Sequence, residues 1–439
     1  MELYVANPIP GDEPYAKSAQ TRRTILLAAA KLFKEEGYDA TTVRRIADTA
    51  GLEAGSIYYH FKSKYQILNE VLDIGVRQLY NEVKIIAEAF ENNNVSFREN
   101  FTRLVDIHLN FLLTRNDFTS ANIRNYPILT EKRRMHHRPL REAYAKLWRS
   151  FLQRAQDAGE LREDISVILV SQFILGAMNW TTEWYDTTRY PVSVLSERLS
   201  KLLLDGMCSK DLPVIDVAVE PFGILPDDPE EGGKAERTRQ AILNAAARIL
   251  RESGHNAATI RRVAKEAGLE AGSVYYHFGS KAEILDEILD VGLRDLLRGV
   301  RRAIASWPDK EDQRNRIAIA ITVHLAYLFR ASAFTSANVR NYGMLSKEIR
   351  SRHLPMRHEY AKVWDQTLRA AQKAGSLRSD IQVVPLRQFL LGALNWTIEW
   401  FDPAKGRQRG HYTLIAFTEL LIRMLLDGIS TSGSALKTT

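Results

Sequence analysis

Apolar residues recur along this chain with the spacing of amphipathic helices. Between Thr21 and Glu36 they fall every three or four positions on one helical face: Ile25, Ala28, Ala29, Leu32 and Phe33. Two short helices are predicted next, at 43–50 and 54–61, with Thr42 and Ser63 as N-caps for the first of them and for a longer helix from Lys64. No segment alternates apolar and polar residues over the length of a strand, so the pattern predicts an all-α fold.

The pattern occurs twice. The same four helices are predicted at 238–252, 259–267, 271–278 and from Ser280 onward, and the first copy continues with predicted helices at 103–114, 138–158, 166–184 and 193–207. TVRRIADTAGLEAGSIYYHF (42–61) and TIRRVAKEAGLEAGSVYYHF (259–278) are identical at fifteen of 20 positions, and FTSANIRNY (118–126) and LGAMNWTTEW (175–184) recur nearly unchanged at 334–342 and 391–400. The chain is therefore a tandem duplication of a domain of about 200 residues.

Each copy is predicted to contain a small three-helix unit, here called the head, and a larger helical body. The predicted boundaries are an N-terminal arm at 1–19, a first head at 20–66, a first body at 67–206, a linker at 207–235, a second head at 236–283, a second body at 284–430 and a tail at 431–439. The linker is predicted from four prolines, the acidic run DDPEE and Gly232-Gly233, because this composition breaks helices.

Composition narrows the function classes. The 439 residues are 45% hydrophobic and 26% charged, which argues against global disorder. The single cysteine, Cys208, excludes an intrachain disulfide and a four-thiolate metal site within the chain. An apolar leader core and a run of about 18 apolar residues are both absent, so we expect a cytoplasmic, nucleoid-associated protein without a membrane partner. The net charge of +7 permits a polyanionic partner.

Two short helices joined by a glycine-containing turn form a helix-turn-helix, and the residues here suit duplex DNA. The second short helix begins with Gly55 and Ser56, whose small size lets the backbone approach base edges in the major groove. Tyr58, Tyr59 and His60 follow and can reach phosphates. Segments 20–64 and 237–281 each carry eight Lys/Arg, against five and three Asp/Glu, so both are more basic than the whole chain.

The segment TRRTILLAAAKLFKEEGYDATTVRRIADTAGLEAGSIYYHFKSKYQIL and its second copy resemble the N-terminal domain of TetR-family transcriptional repressors. The helical remainder of each copy is similar to that family's ligand-binding and dimerisation domain. The resemblance implies DNA contacts by Arg44, Gly55, Ser56, Tyr58, Tyr59, His60 and Lys64, and by Arg261, Gly272, Ser273, Tyr275, Tyr276, His277 and Lys281. Gly279 stands where the first copy has Lys62, so we expect unequal phosphate contacts.

The resemblance also implies a small-molecule effector that releases the DNA. Residues shared by the two bodies are the candidates for its pocket: His108, Phe118, Arg124, Tyr126, Arg134, His137, Tyr144 and Trp148, with His324, Phe334, Arg340, Tyr342, Arg350, His353, Tyr360 and Trp364. Arginines and histidines among aromatics favour an anionic or polar-headed ligand, and the pattern is similar to family members that sense acyl-CoA thioesters in lipid, steroid or aromatic-acid catabolism. The alternative for Arg124, Arg134 and His137 is an inter-helix salt bridge.

One chain with two heads can bind DNA as the two subunits of a homodimer do. The homodimer is the usual state in the family that this chain resembles. We therefore hypothesise a pseudo-twofold intramolecular dimer on a (pseudo)palindromic operator, with a higher oligomer left open. Two sets of residues suit a helical interface across that axis or, equally, a core within each copy: Asn179, Trp180 and Trp184, with Asn395, Trp396 and Trp400.

Other function classes are disfavoured. The sequence has no HExxH, GxSxG, P-loop or dinucleotide fingerprint, so we expect neither an enzyme nor a cofactor. His136 and His137 are adjacent on a predicted helix, where neighbouring side chains point apart, so no metal site is expected. An activator, an architectural nucleoid protein and a chain with only one working head are the alternatives left open.

Overall fold

A computed structural model describes residues 17–89, 95–115, 117–127, 129–186, 188, 190–205, 233–254, 257–331, 333–342, 347–401 and 413–427. All regular elements in these ranges are helices, as the pattern predicts. Most of the predicted arm, linker and tail, including Cys208, lies outside the described residues. Within them no single helix is long and apolar enough to cross a membrane, although one bent pair, Gln313–Arg330 with Ala333–Asn341, meets the length and composition requirements.

The first copy contains nine α-helices among its described residues: α1 (Lys17–Glu35), α2 (Val43–Ala50), α3 (Ala54–His60), α4 (Lys64–Ala89), α5 (Phe97–Asn110), α6 (Asp117–Asn125), α7 (Glu131–Asp157), α8 (Val167–Asn179) and α9 (Val192–Asp205). The described part of the second copy repeats them: α10 (Lys234–Ser253), α11 (Ile260–Glu266), α12 (Ala271–His277), α13 (Lys281–Ser306), α14 (Gln313–Ala326), α15 (Ala333–Asn341), α16 (Lys347–Lys373), α17 (Val383–Trp396) and α18 (Leu414–Asp427).

Several helix boundaries differ from the sequence-based predictions. Helix α1 begins four residues early, at Lys17, and α7 begins at Glu131 rather than 138. Proline favours the first turn of a helix, but Pro139 lies inside α7. Helix α8 ends at Asn179 and passes into a 3₁₀ turn, Trp180–Glu183, instead of running on to Trp184.

Local capping fixes the helix-turn-helix, as predicted. The Thr42 hydroxyl accepts a hydrogen bond from the Arg45 amide at 3.1 Å, and Ser63 accepts one from the Gln66 amide at 3.2 Å. Gly51 ends α2 with φ +67°, in the left-handed region where a side chain would be strained. Thr259, Ser280 and Gly268 repeat these roles in the second copy.

Helix α6 packs between α1 and α4, so head and body share one core. A Cβ at Gly75 of α4 would lie 2.5 Å from the Phe118 carbonyl oxygen, which shows how closely the two backbones approach. Thr119 donates to the Gly75 carbonyl at 3.2 Å, and the Asn122 amide donates to the Leu72 carbonyl at 2.8 Å. The second copy repeats this junction with Gly292, Thr335, Asn338 and Leu289.

The described residues fall into two compact units. The first runs to Glu160 and includes Thr181–Ser200, and the second combines Leu161–Trp180 with the residues from Lys201 on. Within the second unit α8 packs against α17, its own counterpart in the duplicated sequence. A Cβ at Gly176 would lie 2.8 Å from the Cβ of Trp396, and one at Gly392 would lie 2.5 Å from Cγ of Trp180. The contact is reciprocal, because these glycines and tryptophans are pairwise equivalent in the repeat.

Ion pairs in the same unit follow the same reciprocity. Lys201 contacts Asp380 at 2.5 Å, and the equivalent Arg423 contacts Asp164 at 3.9 Å. The other reciprocal pairs are Arg378 with Asp205 at 3.8 Å and Arg162 with Asp427 at 4.0 Å. Hydrogen bonding to Arg378 and Lys201, which outweighs burial, holds the pKa of Asp380 far below its usual range. Each of these ion pairs therefore has a counterpart between the equivalent residues of the repeat.

Candidate DNA interface and effector body

Helix α3 is built to present aromatic side chains to a partner. Ile57 and Phe61 are buried in the head core, which fixes the rotation of the helix. The opposite face therefore carries Tyr58 and Tyr59, which are 60% and 83% exposed. Their counterparts, Tyr275 and Tyr276, are exposed to almost the same extent, 59% and 85%. Both copies therefore expose two large aromatic side chains on the helix for which the sequence predicts DNA contacts.

The front of α3 leaves room for close approach. Gly55 has no atom within 4 Å of the position that a Cβ would occupy, and its φ is not positive. The same holds for Gly272 in α12. Glycine in a helix costs about 0.5–1 kcal/mol relative to alanine, and none of the described residues lies close enough to require it here. Ser56 and Ser273 follow and are half-buried.

The basic residues of the head differ in their exposure and in their partners. Arg44 and Arg261 are exposed at the start of the first helix of each helix-turn-helix, whereas Arg45 forms an ion pair with Glu36 at 2.5 Å. Lys64 is half-buried and bonds back to the head. Its ammonium donates to the carbonyls of Tyr38 and Thr41 at 2.7 and 2.6 Å, and burial lowers its pKa. In this conformation Lys64 therefore joins α4 to the loop before α2.

The surroundings of His60 lower the pKa of its ring. Burial, together with the nearby Arg22 guanidinium, lowers the pKa of the imidazole, so the ring is neutral at pH 7 and donates one N–H. The ring packs edge-on against Tyr59 with centroids 5.2 Å apart. The second head carries less positive charge at the following turn, because Gly279 replaces Lys62 and its amide bonds to Glu283, where the first head has Gln66.

Helix α6 carries residues that tie the head to the body, and the sequence analysis missed this role. The Arg124 guanidinium donates to the carbonyls of Lys34 and Glu35 at the end of α1, at 2.8 and 3.2 Å. The Asn125 side chain donates to the Phe33 carbonyl at 2.9 Å and accepts from the Tyr38 amide at 2.8 Å. In the second copy Arg340 bonds to the Arg251 carbonyl and, at 3.1 Å, to Glu399. The sequence offered one signal for this role, namely that the segments FTSAN and RNY recur in the second copy.

The predicted pocket residues occupy three different places in each copy. Four lie at the junction of head and body, namely Phe118, Arg124, Tyr126 and Arg134, matched by Phe334, Arg340, Tyr342 and Arg350. His137 and His353 contact side chains of α4 and α13. The remaining three are buried in the body, namely His108, Tyr144 and Trp148, matched by His324, Tyr360 and Trp364. Only the last group forms a polar cluster inside the apolar body.

This buried cluster is the same in both copies. Nδ1 of His108 lies 2.7 Å from the Tyr144 hydroxyl, and Nδ1 of His324 lies 2.7 Å from that of Tyr360. Nε2 of His324 also lies 3.1 Å from the Asn395 side-chain oxygen. Burial lowers the pKa of His324 to about 4. The hydrogen bond to Asn395 raises the pKa but offsets only part of this effect. His324 is therefore neutral at pH 7, and the cluster offers hydrogen bonds rather than positive charge.

The adjacent histidines of α7, His136 and His137, both contact the carboxylate of Asp73. Nδ1 of His137 lies 2.7 Å from Oδ1 of Asp73, and Nε2 of His136 lies 3.2 Å from Oδ2 of the same residue. The expectation that they point apart is wrong: the rings stand at 83° to each other, yet both reach Asp73 on α4. Burial works to raise the pKa of Asp73, but hydrogen bonds and charge from His137 and His136 outweigh it and lower the pKa.

In a comparison with known proteins, the head and the body of each copy both match a family model. The model described as "Bacterial regulatory proteins, tetR family" matches residues 25–71 and 242–288. The model described as "Tetracyclin repressor-like, C-terminal domain" matches residues 94–207 and 310–429. Each head match is thus followed by a body match, and the four together cover well over half of the chain.

Individual relatives align with one copy at a time. The "HTH-type transcriptional repressor KstR2" of Rhodococcus jostii is 29% identical over 205 residues, which is 47% of this chain and 96% of the relative. The "Fatty acid metabolism regulator protein" of Bacillus subtilis is 26% identical over 192 residues, 42% of this chain and 95% of the relative. Among solved structures, the TetR-family regulator PfmR of Thermus thermophilus is 26% identical with a TM-score of 0.37, covering 41% of this chain and 94% of that one.

These matches confirm the resemblance and the duplication inferred from the sequence. They also confirm that the relatives are regulators of transcription and not enzymes. With two head matches and two body matches in one polypeptide, the chain belongs to the TetR family of DNA-binding transcriptional repressors, as a tandem duplication of the family's two-part subunit.

Proposed function

We propose that this protein is a ligand-responsive repressor in which one chain supplies both DNA-binding heads for a single (pseudo)palindromic operator. The two copies form an intramolecular pseudo-dimer, with heads at 20–66 and 236–283. Tyr58, Tyr59 and Gly55, with their counterparts Tyr275, Tyr276 and Gly272, face the major groove. Nearly identical recognition helices imply nearly identical half-sites in inverted orientation, about one helical turn of DNA apart.

The reciprocal packing of α8 against α17 is the observation that carries this proposal. Gly176 with Trp396 and Gly392 with Trp180 are equivalent contacts, and the flanking ion pairs repeat the exchange. A homodimer interface has this symmetry because each subunit presents the same surface. Its presence within one chain supports the view that the second copy takes the place of a partner subunit.

Light scattering and operator titration test the proposal together. The free protein should have the mass of one chain, 50.0 kDa, and should bind a minimal palindrome with one chain per duplex. A duplex carrying one half-site is the control and should bind more weakly, by roughly 10²-fold or more, because the second head adds avidity. A free species of twice the mass, or two chains per minimal palindrome, would refute the single-chain arrangement.

The effector is proposed to be an acyl-CoA thioester or a related organic acid of a catabolic pathway. The name of the B. subtilis relative refers to fatty acid metabolism, and the body offers a polar cluster buried among apolar helices. In this proposal the thioester or carboxyl oxygen meets Tyr144 or Tyr360, and the hydrocarbon part lies against the surrounding apolar side chains. Arg124 and Arg340 hold the head instead of the ligand.

A thermal-shift screen of acyl-CoA thioesters and their free acids tests the effector class. An effector should raise the unfolding temperature and release the operator in the wild type. Tyr144→Phe and Tyr360→Phe remove one hydroxyl each from the buried clusters and should weaken both responses while operator affinity without ligand stays unchanged. Full responses in the double variant would exclude these clusters as the effector site.

A further inference from the structure

The contact between α4 and α7 in the first copy holds three potential metal ligands. Asp73, His136 and His137 each offer one ligand atom, and these atoms all lie within 4.8 Å of one another. Nδ1 of His137 lies 2.7 Å from Oδ1 of Asp73, and Nε2 of His136 lies 3.2 Å from Oδ2 of the same carboxylate. A tetrahedral ion with bonds of about 2.0–2.1 Å needs neighbouring ligand atoms roughly 3.3 Å apart, so a small side-chain movement separates this arrangement from a ligand set. His136 is 59% exposed and has the freedom to close the remaining distance.

The hydrogen bonds around His137 favour a cation at this point. Its Nε2 lies 3.1 Å from the side-chain oxygen of Asn69, which accepts a hydrogen bond from the ring. The other nitrogen, Nδ1, faces an Asp73 oxygen at 2.7 Å, either through a second ring proton or through a metal ion that replaces that proton. Two acceptors at that distance need a proton or a metal ion between them. Ligating histidines typically donate their other N–H to a neighbouring oxygen, as His137 does to Asn69.

The second copy shows what the same position looks like without the site. Arg352 replaces His136, and Asp286 replaces Asn69. Asp286 accepts from His353 at 2.8 Å and pairs with Arg352 at 3.2 Å, so the charges balance without an added cation. Asp290, the counterpart of Asp73, forms an ion pair with Arg294. A guanidinium is permanently protonated and cannot ligate a metal, so the difference between the copies is one of chemistry and not only of sequence.

We propose that Asp73, His136 and His137 bind one divalent transition-metal ion of the Zn²⁺ type per chain, with water at the open position. Two imidazole nitrogens with one carboxylate suit Zn²⁺ and Co²⁺, whereas Mg²⁺ and Ca²⁺ prefer ligand sets made of oxygen atoms. The ion links α4 to α7, and Asp73 lies nine residues, about 14 Å along the helix, from the start of α4 beside the recognition helix. Among the described residues the site is present in the first copy only.

Titration of the metal-depleted, tag-free chain with Co²⁺ and Zn²⁺ tests the site. Calorimetry should give one equivalent per chain, and Co²⁺ should develop the visible absorption of a four-coordinate ion. His136→Arg copies the residue of the second copy, which folds around it, and should weaken binding at least about tenfold. Asp73→Asn should do the same. His353→Ala is the matched change in the second copy and should leave affinity within about twofold.

Thermal unfolding supplies an independent measurement. Zn²⁺ should raise the unfolding temperature of the wild type and of His353→Ala, but not of His136→Arg, whose metal-free stability should match the wild type. Three outcomes would overturn the assignment: no binding at 100-fold molar excess of Zn²⁺, two equivalents per chain with both lost in His353→Ala, or unchanged affinity in His136→Arg and Asp73→Asn alike.

Discussion

At the scale of single residues, Gly55 gives the sharpest test of the DNA interface. The chain leaves open space at its Cβ position, so Gly55→Ala should stabilise the first head by about 0.5–1 kcal/mol. Operator affinity should nevertheless fall by about tenfold, because the methyl group would separate α3 from the base edges. Hydrogen exchange of the head amides and operator titration measure the two effects, and Gly272→Ala is the matched variant. Stabilisation without loss of affinity would remove Gly55 from the interface.

Lys64 shows where residue-level prediction from sequence ends. Its position after the recognition helix predicts a phosphate contact, and the exposed Tyr58 and Tyr59 agree with their predicted role. Yet the Lys64 ammonium lies 4.1 Å from the centroid of the Tyr38 ring and bonds to two backbone carbonyls. Spacing along a helix shows which face a residue occupies. It does not show which distant carbonyls lack a donor, and those decide where a long flexible side chain goes.

His324 predicts a pH dependence of stability. Its pKa is about 4 in the folded chain and 6.5 when unfolded, so between these values only the unfolded chain takes up the proton. The neutral ring's contribution to the free energy of unfolding is fully present above pH 6.5. It is lost as the pH falls, and the loss amounts to about 3 kcal/mol at pH 4. As the pH is lowered from 7 to 4.5, the unfolding temperature of the wild type should fall by more than that of His324→Gln. The exposed His358→Gln is the control, and identical acid profiles would contradict the assignment.

At the scale of elements, α6 is the helix that the sequence predicted least well. Its residues were recognised as a repeat, but Arg124 and Tyr126 were assigned to an effector pocket. The polar side chains of Thr119, Asn122 and Asn125 bond to carbonyls on α4 and α1, which are far away in sequence. Hydrophobic periodicity carries no information on such partners. By contrast, the caps at Thr42 and Ser63 depend on neighbours three residues away and were predicted correctly.

The close approach of α4 and α6 predicts a strong effect from one methyl group. Gly75→Ala would place a carbon 2.5 Å from the Phe118 carbonyl oxygen, so α6 must shift away from α4. We expect a loss of about 1–3 kcal/mol, the usual cost of overpacking, and faster hydrogen exchange in α6. Gly292→Ala should do the same in the second copy. Arg77→Ala, exposed on the same helix, is the control, and equal stability of the two α4 variants would contradict the tight contact.

At the scale of the whole molecule, the duplication and the all-α class could be taken directly from the sequence. Repeated segments need only be aligned, and helical spacing is a local property. The reciprocal partners could not be predicted. Arg162, Asp164, Lys201 and Asp205 recur as Arg378, Asp380, Arg423 and Asp427, but a repeat alone does not show that one copy contacts the other. That requires the packing of α8 on α17, which depends on glycine and tryptophan meeting across the two copies.

This packing leads to the last prediction, which concerns cooperation between the heads. Gly176→Leu combined with Gly392→Leu would drive side chains into Trp396 and Trp180 and separate α8 from α17. If the α8–α17 contact aligns the two heads, binding to a single half-site should stay within about twofold of wild type while affinity for the full palindrome falls roughly 10²-fold. Ile168→Ala, exposed on α8, should change neither affinity. Equal losses on both duplexes would mean that the variant damages the heads themselves, and full palindrome affinity would mean that their alignment does not depend on α8 and α17.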